Sequence, residues 1–316
     1  MKHLLSSRAL QSLSGLNGHF STFLWYDAKE QQRRRTQTMG LLSKRAKSIL
    51  QLQQAIEIFV CPLCKQQMTM SDEGKMSCPS NHSFDVAKQG YIYLLSRPMQ
   101  SMYSKELFES RHAVIQSGLY DTMQQTIAGE INIKNPVILD TGCGEGSHLH
   151  RICQQLEGAV GVGVDIAKEG ILAAAKFYND EIWCVGDLAN SPYNEASFDV
   201  ILNILSPANY DEFKRLLKPG GKVIKVVPQE NYLKELRVQA FEDSEKESYS
   251  NEQTVERFKA SFKQVEVKRV TQTLPLEKPL VQKLLEMTPM GWHIEHKENI
   301  ELQQITIDLD ILIGME

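Results

Sequence analysis

The chain has 316 residues, of which 42% are hydrophobic and 23% charged, with a net charge of −4 at pH 7. That length holds one large domain and a small one, and the overall acidity argues against a general nucleic-acid binder. No run approaches the ~18 apolar residues of a membrane span.

The charge is unevenly distributed. Residues 1–112 carry 15 Lys and Arg against 8 Asp and Glu, whereas the remainder carries 20 against 31. A positive front end on an acidic protein predicts an anionic partner for that end. The first 26 residues lack any acidic side chain and have no long apolar core. Their composition fits a transit peptide or a dispensable extension, and residues 1–50 are read as a flexible extension. Met39 is a plausible alternative start.

Between Val60 and Asp85 the chain reads VCPLCKQQMTMSDEGKMSCPSNHSFD. Two residues separate Cys61 from Cys64, thirteen residues follow, and three residues separate Cys78 from His82. Two residues between cysteines form a knuckle that turns both sulfurs toward one ion. Pro62 and Pro79 stiffen the two turns. Four N/S ligands without a carboxylate predict a closed tetrahedral zinc site, which is structural rather than catalytic. Cys143, Cys153 and Cys184 fall in a glycine loop, a helix and a buried strand, so the six cysteines describe a reducing compartment with one metal site. Asp72, Glu73 and Gly74 read as a turn between two short strands. Phe84, Val86, Tyr91, Tyr93 and Leu95 predict a small ribbon packed on the metal unit.

Ser104 is a candidate N-cap, and Leu107, Phe108, Val114 and Ile115 form a helical stripe that ends at Gly118. From residue 134 apolar strands alternate with amphipathic helices. Strands are expected at 136–140, 161–165, 181–186, 198–205 and 221–228. Helices fit at 147–157, 168–178, 211–217 and 231–242. This alternation predicts a parallel sheet with helices on both faces. Strands at 264–273 and 301–315 around a helix near 278–287 are expected to close one edge as an antiparallel pair.

After the first of these strands comes Asp140-Thr-Gly142-Cys-Gly144-Glu145-Gly146. Glycines there permit close backbone approach to a ligand, and the helix that follows favours anionic groups. A dinucleotide fingerprint needs glycine at 147, where this chain has Ser147. The form present, with Asp140 before it and Asp165 ending the second strand, suits S-adenosylmethionine. Asp165 is expected to accept hydrogen bonds from the ribose hydroxyls, and Asp187, past the third strand, to meet the adenine amino group. Both acids could instead be solvated or capping groups at strand ends.

A Cys-x2-Cys…Cys-x3-His knuckle joined to such a domain resembles the RlmA family of large-subunit ribosomal RNA (guanine-N1)-methyltransferases. The resemblance covers residues 57–316 and rests on CPLC, CPSNHSFDVAKQGYIYLL, SGLY, LDTGCGEGSH, GVDIAKEGI, LLKPGGKVI and LLEMTPMGW. It implies an α/β chain: a Rossmann-like class I S-adenosylmethionine-dependent methyltransferase domain at 134–316, a zinc-binding, RNA-recognising domain at 51–100 and a helical bridge at 101–133. Zinc falls on Cys61, Cys64, Cys78 and His82, and cofactor contacts on Gly144, Glu145, Tyr120 and Tyr232. The last occupies a position where relatives can carry histidine. The implied substrate is a hairpin loop of 23S rRNA, and the implied assembly is a cytoplasmic homodimer without membrane attachment.

Guanine N1 bears a proton that some acceptor must take. Asn203, Ser206 and Asn209, at and after the end of the fourth strand, are candidates to touch the base edge, but none is a clear base. Trp292 is a candidate to stack on the base, with core packing favoured. Lys65, Lys75, Lys88, Lys105 and Arg111 are candidate phosphate contacts. A methyltransferase for small molecules has no evident need of the zinc knuckle. A non-enzymatic adaptor would have no use for an intact glycine loop.

Overall fold

The apolar runs from residue 137 onward stack as the parallel centre of an eight-stranded sheet. The computed structural model describes residues 42–97, 99, 102–240, 250–288, 290, 291, 294 and 300–316. Trp292 therefore lies outside the described residues, as does the segment 1–41.

In the first part, helix α1 (Lys44–Gln54) precedes β1 (Thr69–Met70), β2 (Lys75–Ser77) and β3 (Ser83–Asp85), which form a three-stranded antiparallel ribbon. The turn between β1 and β2 is made by Asp72-Glu73-Gly74, with Gly74 at φ +85°. The boundary expected at residue 50 falls inside α1, whose Ser48, Ile49 and Leu52 are buried. β4 (Tyr91–Tyr93) departs from the expected ribbon. Only Val86 bridges to Ile92, while β4 pairs in parallel with a strand of the large sheet.

Helix α2 (Lys105–Gln116) begins as its sequence predicts, with the Ser104 side chain accepting from the Leu107 N–H at 3.3 Å. Its stripe of Leu107, Phe108, Val114 and Ile115 is buried. A second bridge helix, α3 (Asp121–Gly129), follows. Then come β5 (Val137–Thr141), α4 (Ser147–Cys153), β6 (Val160–Asp165), α5 (Lys168–Phe177), β7 (Ile182–Val185), β8 (Phe198–Ile204), α6 (Tyr210–Leu216) and β9 (Leu217–Pro228). The last elements are α7 (Lys234–Ala240), α8 (Glu252–Ser261), β10 (Gln264–Pro275), α9 (Lys278–Met287) and β11 (Gln304–Met315). The expected strands and helices are present, most with shifted ends: α4 stops four residues early, β9 starts four residues early, and the end expected for α7 at 242 lies outside the described residues.

The strand order is β10-β11-β9-β8-β5-β6-β7-β4. β10, β11 and β9 are antiparallel, and the rest of the sheet is parallel. The chain moves outward from β5 to β6 and β7, then returns to β8 on the other side of β5. That reversal is the topological switch point, where open α/β sheets bind ligands beyond the carboxyl ends of their strands. One face is covered by α3, α4 and α5 side chains, including Ile127, Leu149 and Ala174. The other carries α6 and α8, with Phe213 and Phe258.

That second face also carries the ribbon. Met68, Met76, Cys61 and Cys78 belong to one buried cluster with Val162, Ile182 and Cys184 of the sheet. Lys44–Glu316 accordingly form one compact unit. Three short strands cannot bury enough apolar surface to stand alone, so the ribbon uses the sheet as its floor. Among the described residues, no helix is long and apolar enough to cross a membrane.

Candidate functional site

At the ribbon, the ligand atoms of Cys61, Cys64, Cys78 and His82 all lie within 4.8 Å of one another. The Cys64 and Cys78 sulfurs are 3.6 Å apart, and His82 Nδ1 is 3.5 Å from the sulfurs of both Cys61 and Cys78. A tetrahedron with Zn–S bonds of ~2.3 Å has edges of about 3.8 Å, and slightly less toward nitrogen, so the spacing fits one zinc ion. Two matching turns produce it. Lys65 N–H donates to Cys61 O and Asn81 N–H to Cys78 O, with Lys65 at φ +61° and Asn81 at φ +63°. The Gln66 backbone N–H pulls the Cys64 thiol down to about 6, which favours the thiolate a metal requires. All four positions are taken by protein atoms, so this is a closed site.

The second site lies over the switch point. A cleft of about 400 Å³ is bounded by Gly142, Gly144, Asp165, Gly186, Asp187 and Ser206, among others. It continues past Arg111, Leu205, Ser206, Pro207 and Met287 into a chamber of about 420 Å³, where Tyr120, His148, Lys225 and Tyr232 stand. Gly142 and Gly144 have φ of +71° and +57°. A Cβ on Gly142 would come to 2.1 Å from Ser206 Oγ, so this glycine holds the floor of the cleft open. Gly146 does not line the cleft. It faces away, and a Cβ there would meet the Trp183 ring at 2.4 Å, which makes it a packing glycine.

Asp165 ends β6 with its carboxylate on the loop: Oδ2 accepts from Gly144 N–H and Oδ1 from Ala167 N–H, both at 2.8 Å. Asp187 caps the short 3-10 turn 188–190 through Ala189 N–H at 2.8 Å and also bounds the cleft. Its capping role and its place at the cleft coexist. Asp140 is buried beneath the loop, and burial pushes its carboxyl up to about 7. Among the described residues its Oδ1 has no hydrogen-bond partner, while Glu145 Oε2 pairs with Arg111 Nε at 3.2 Å. Tyr120 and Tyr232 hydroxyls are 2.7 Å apart and both residues are buried.

The chemistry of this cleft matches an adenosyl sulfonium amino acid. Asp165 lines it together with Gly142 and Gly144, whose lack of side chains permits close approach. Asp140 and Glu145 are 2% and 1% exposed and lie behind the cleft wall, which Arg111 itself helps to form. Arg111 thus sits in the cleft rather than on an RNA-facing surface. Lys65 is also occupied: its Nζ donates to Ser191 O at 3.0 Å, and burial lowers its pKa. Lys105 pairs with Glu109 at 3.8 Å. Lys75 and Lys88 are exposed on and beside the ribbon.

Of the three residues expected to reach a base edge, only Ser206 lines the cleft. Asn203 is 0% exposed and its amide donates to Thr141 Oγ1 at 3.0 Å and Pro207 O at 2.8 Å. Asn209 caps α6 through Glu212 N–H at 3.3 Å. Both brace the loop from within. Lys225, which also borders the chamber, belongs to none of the motifs. It interrupts the apolar run Val223-Ile-Lys-Val-Val227, and a charge inside a buried strand was the available signal.

Fold and site together define a Rossmann-like class I methyltransferase that binds S-adenosylmethionine and carries a structural zinc ribbon. The RlmA N-terminal family matches residues 59–105, and a methyltransferase domain family matches residues 138–221. A Bacillus subtilis (strain 168) protein named "Putative 23S rRNA (guanine-N(1)-)-methyltransferase YxjB" is 39% identical over 274 residues, covering 82% of this chain and 97% of that one. The 23S rRNA (guanine(748)-N(1))-methyltransferase of Streptomyces fradiae is 29% identical, covering 75% and 87%. Among solved structures, a Haemonchus contortus phosphoethanolamine N-methyltransferase 2 in complex with S-adenosyl-L-methionine is 14% identical with a TM-score of 0.45, covering 69% of this chain and 59% of that one. The chain belongs to the RlmA family.

The glycine loop offers a direct check. Gly142→Ala places a methyl against Ser206 and a Cβ at positive φ, a strain of about 1 kcal/mol. Affinity for S-adenosylmethionine, read by calorimetry, is expected to fall about five- to tenfold, with zinc content unchanged at one per chain.

Proposed function

We propose that the chain transfers a methyl group from S-adenosylmethionine to N1 of a guanine in a hairpin loop of 23S rRNA. The carrying observation is the conjunction of the closed zinc quartet and the switch-point cleft on one sheet. In YxjB, a relative matched over 97% of its length, the name is that of this activity. The cofactor supplies a methyl activated by a sulfonium, so alignment is the main task left to the protein.

In this reading Asp165 holds the ribose hydroxyls and Asp187 faces the adenine. Arg111, backed by Asp140 and Glu145, holds the amino-acid end, with Gly142 and Gly144 allowing backbone approach and Tyr120 and Tyr232 closing the far wall. Gly146 contributes by fixing the loop against Trp183. The base must leave its loop or stack to enter, because N1 is occupied in a paired guanine. The zinc-binding segment, residues 51–100, is the RNA-recognising part, residues 134–316 the catalytic part, and 101–133 the bridge. We place the protein in the cytoplasm as a homodimer, in keeping with its reduced cysteines and the family.

The test is methyl transfer from labelled cofactor to 23S rRNA lacking its own modification, with reverse-transcription stops mapping the site. A stop at a hairpin guanine supports the reading. Label incorporated at another atom, or only into small molecules, overturns it.

The ribbon lysines carry a separate expectation. Lys75→Ala and Lys88→Ala should each flatten the slope of log affinity against log salt by roughly 0.7–0.9, and weaken different RNA sequences equally. Lys65→Ala should leave the slope unchanged, because its ammonium is already held by Ser191 O. A slope change at Lys65 and none at Lys75 or Lys88 would place the phosphates elsewhere.

A further inference from the structure

Lys225 is 4% exposed, yet it borders the chamber beyond the cofactor cleft. It stands on β9 directly beside Asn203 of β8, at the carboxyl end of the sheet. Its Nζ donates to Asn203 Oδ1 at 2.5 Å and to Ser206 O at 2.9 Å. Both partners are neutral carbonyl oxygens. Among the described residues no carboxylate pairs with it, and burial alone lowers its pKa, to about 8. Four other titratable groups face the same chamber: Arg111, His148, Tyr120 and Tyr232. None of them is an anion near neutrality, since burial holds His148 neutral and raises both tyrosines. Asp310, on the neighbouring β11, is engaged by the amides of Gln229 and Asn251.

A buried lysine without a counter-ion is costly to a fold, and side chains kept at such expense inside a cleft are functional candidates. The geometry says which function. Two carbonyls take two N–H bonds of the amine and so orient it. The third substituent position of nitrogen is left for a proton or a lone pair.

Resting on the function proposed above, we infer that Lys225 is the proton acceptor for the target guanine, taking the N1 proton as the methyl group is transferred. In this step the N1–H bond breaks and its proton goes to the neutral amine of Lys225. The electron pair released on N1 forms the bond to the methyl carbon. The carbon–sulfur bond breaks with its pair left on sulfur. A neutral amine and a sulfonium become an ammonium and a thioether, so charge is conserved, and the ammonium returns its proton to water after product leaves. Asn203 and Ser206 are positioning groups, which explains why the Asn203 side chain is turned inward.

The sign of the pH dependence follows. The amine must be neutral to act, so the single-turnover rate is expected to rise with pH and level off above about 8. General-base removal costs ~100-fold or more. Lys225→Met and Lys225→Arg are both expected to lose at least that factor on the rRNA hairpin. The arginine is decisive because it keeps the charge and the donors but cannot accept a proton. Lys225→Ala should regain activity with added small primary amines, more with the more basic ones. Independently of turnover, a lysine resonance titrating near 8 in cofactor-free and RNA-free protein should be missing from Lys225→Met.

Variants that stay within threefold of wild type overturn the inference. So does a loss in Lys225→Arg that comes with weakened cofactor binding and no amine rescue in Lys225→Ala, which would make Lys225 a structural brace. If wild-type protein methylates no guanine N1, the proposed function fails first and the inference with it. If wild type does so and Lys225→Arg does as well, the inference alone fails.

Discussion

Cys78→Ser is expected to abolish zinc binding and, with it, methylation of the rRNA hairpin. Zinc bound to a closed quartet of this type contributes on the order of 10 kcal/mol to the folding of small zinc units. Cys78 supplies a ligand atom within 3.6 Å of two others, so its loss opens one corner of the quartet. Elemental analysis should fall from one zinc per chain to near none. Because Cys61, Cys78, Met68 and Met76 share a buried cluster with the sheet, the melting temperature should fall as well. Affinity for S-adenosylmethionine in the still-folded fraction should stay within a few-fold of wild type, since no zinc ligand borders the cofactor cleft. Loss of cofactor binding equal to loss of RNA binding, at a temperature where the variant is folded, would show that the two sites are coupled through that common core.

Asp165→Ala should give the largest loss at the cofactor site. Its carboxylate holds Gly144 and Ala167 N–H and stands at the cleft where a diol would sit. Hydrogen bonds to a charged acceptor contribute about 1.5–3 kcal/mol each, so the removal is expected to weaken S-adenosylmethionine binding by ~100-fold. Asp165→Asn separates the two roles of the residue. It keeps one acceptor for the loop but loses the charge, and an intermediate loss of about tenfold is expected. Calorimetric titration of both variants, with circular dichroism to confirm folding, is the measurement. Wild-type affinity in Asp165→Ala would move the ribose away from β6.

The zinc quartet and the glycine loop were legible because each is a local code. Cys-x2-Cys and Cys-x3-His turns bring ligands together within a few residues, and the hairpin through Gly74 joins the two turns. The strand–loop–helix around Gly142 is likewise set by neighbours in sequence. Strand periodicity placed β5 to β9 correctly because buried parallel strands are continuous apolar runs. Ser104 as a cap and Gly118 as a stop defined α2 for the same reason.

Side-chain direction was not legible. Gly146 and Gly144 are two residues apart in one motif, yet one packs on Trp183 and the other lines the cleft. Arg111 reads as a helix cation open to either a phosphate or an intramolecular ion pair, and only the placing of α2 over the glycine loop, which turns it toward Glu145, decides for the pair. Asn203 and Asn209 read as polar loop residues, and both are spent inside the protein on hydrogen bonds that hold the loop's shape. Lys65 reads as a free knuckle lysine until Ser191, 126 residues away, takes its ammonium.

The sequence by itself therefore determined the ligand set, the cofactor loop and the order of elements, all of which depend on spacing within a few residues. Only the tertiary structure decided that β4 leaves the ribbon to join the sheet and that the ribbon shares the sheet's core. It alone also placed Lys225 beside Asn203 and, among the described residues, without a counter-ion. These are outcomes of long-range pairing and burial. A strand pairs where its apolar face finds cover, and a buried amine loses its proton more easily only where the fold has excluded water and withheld a carboxylate.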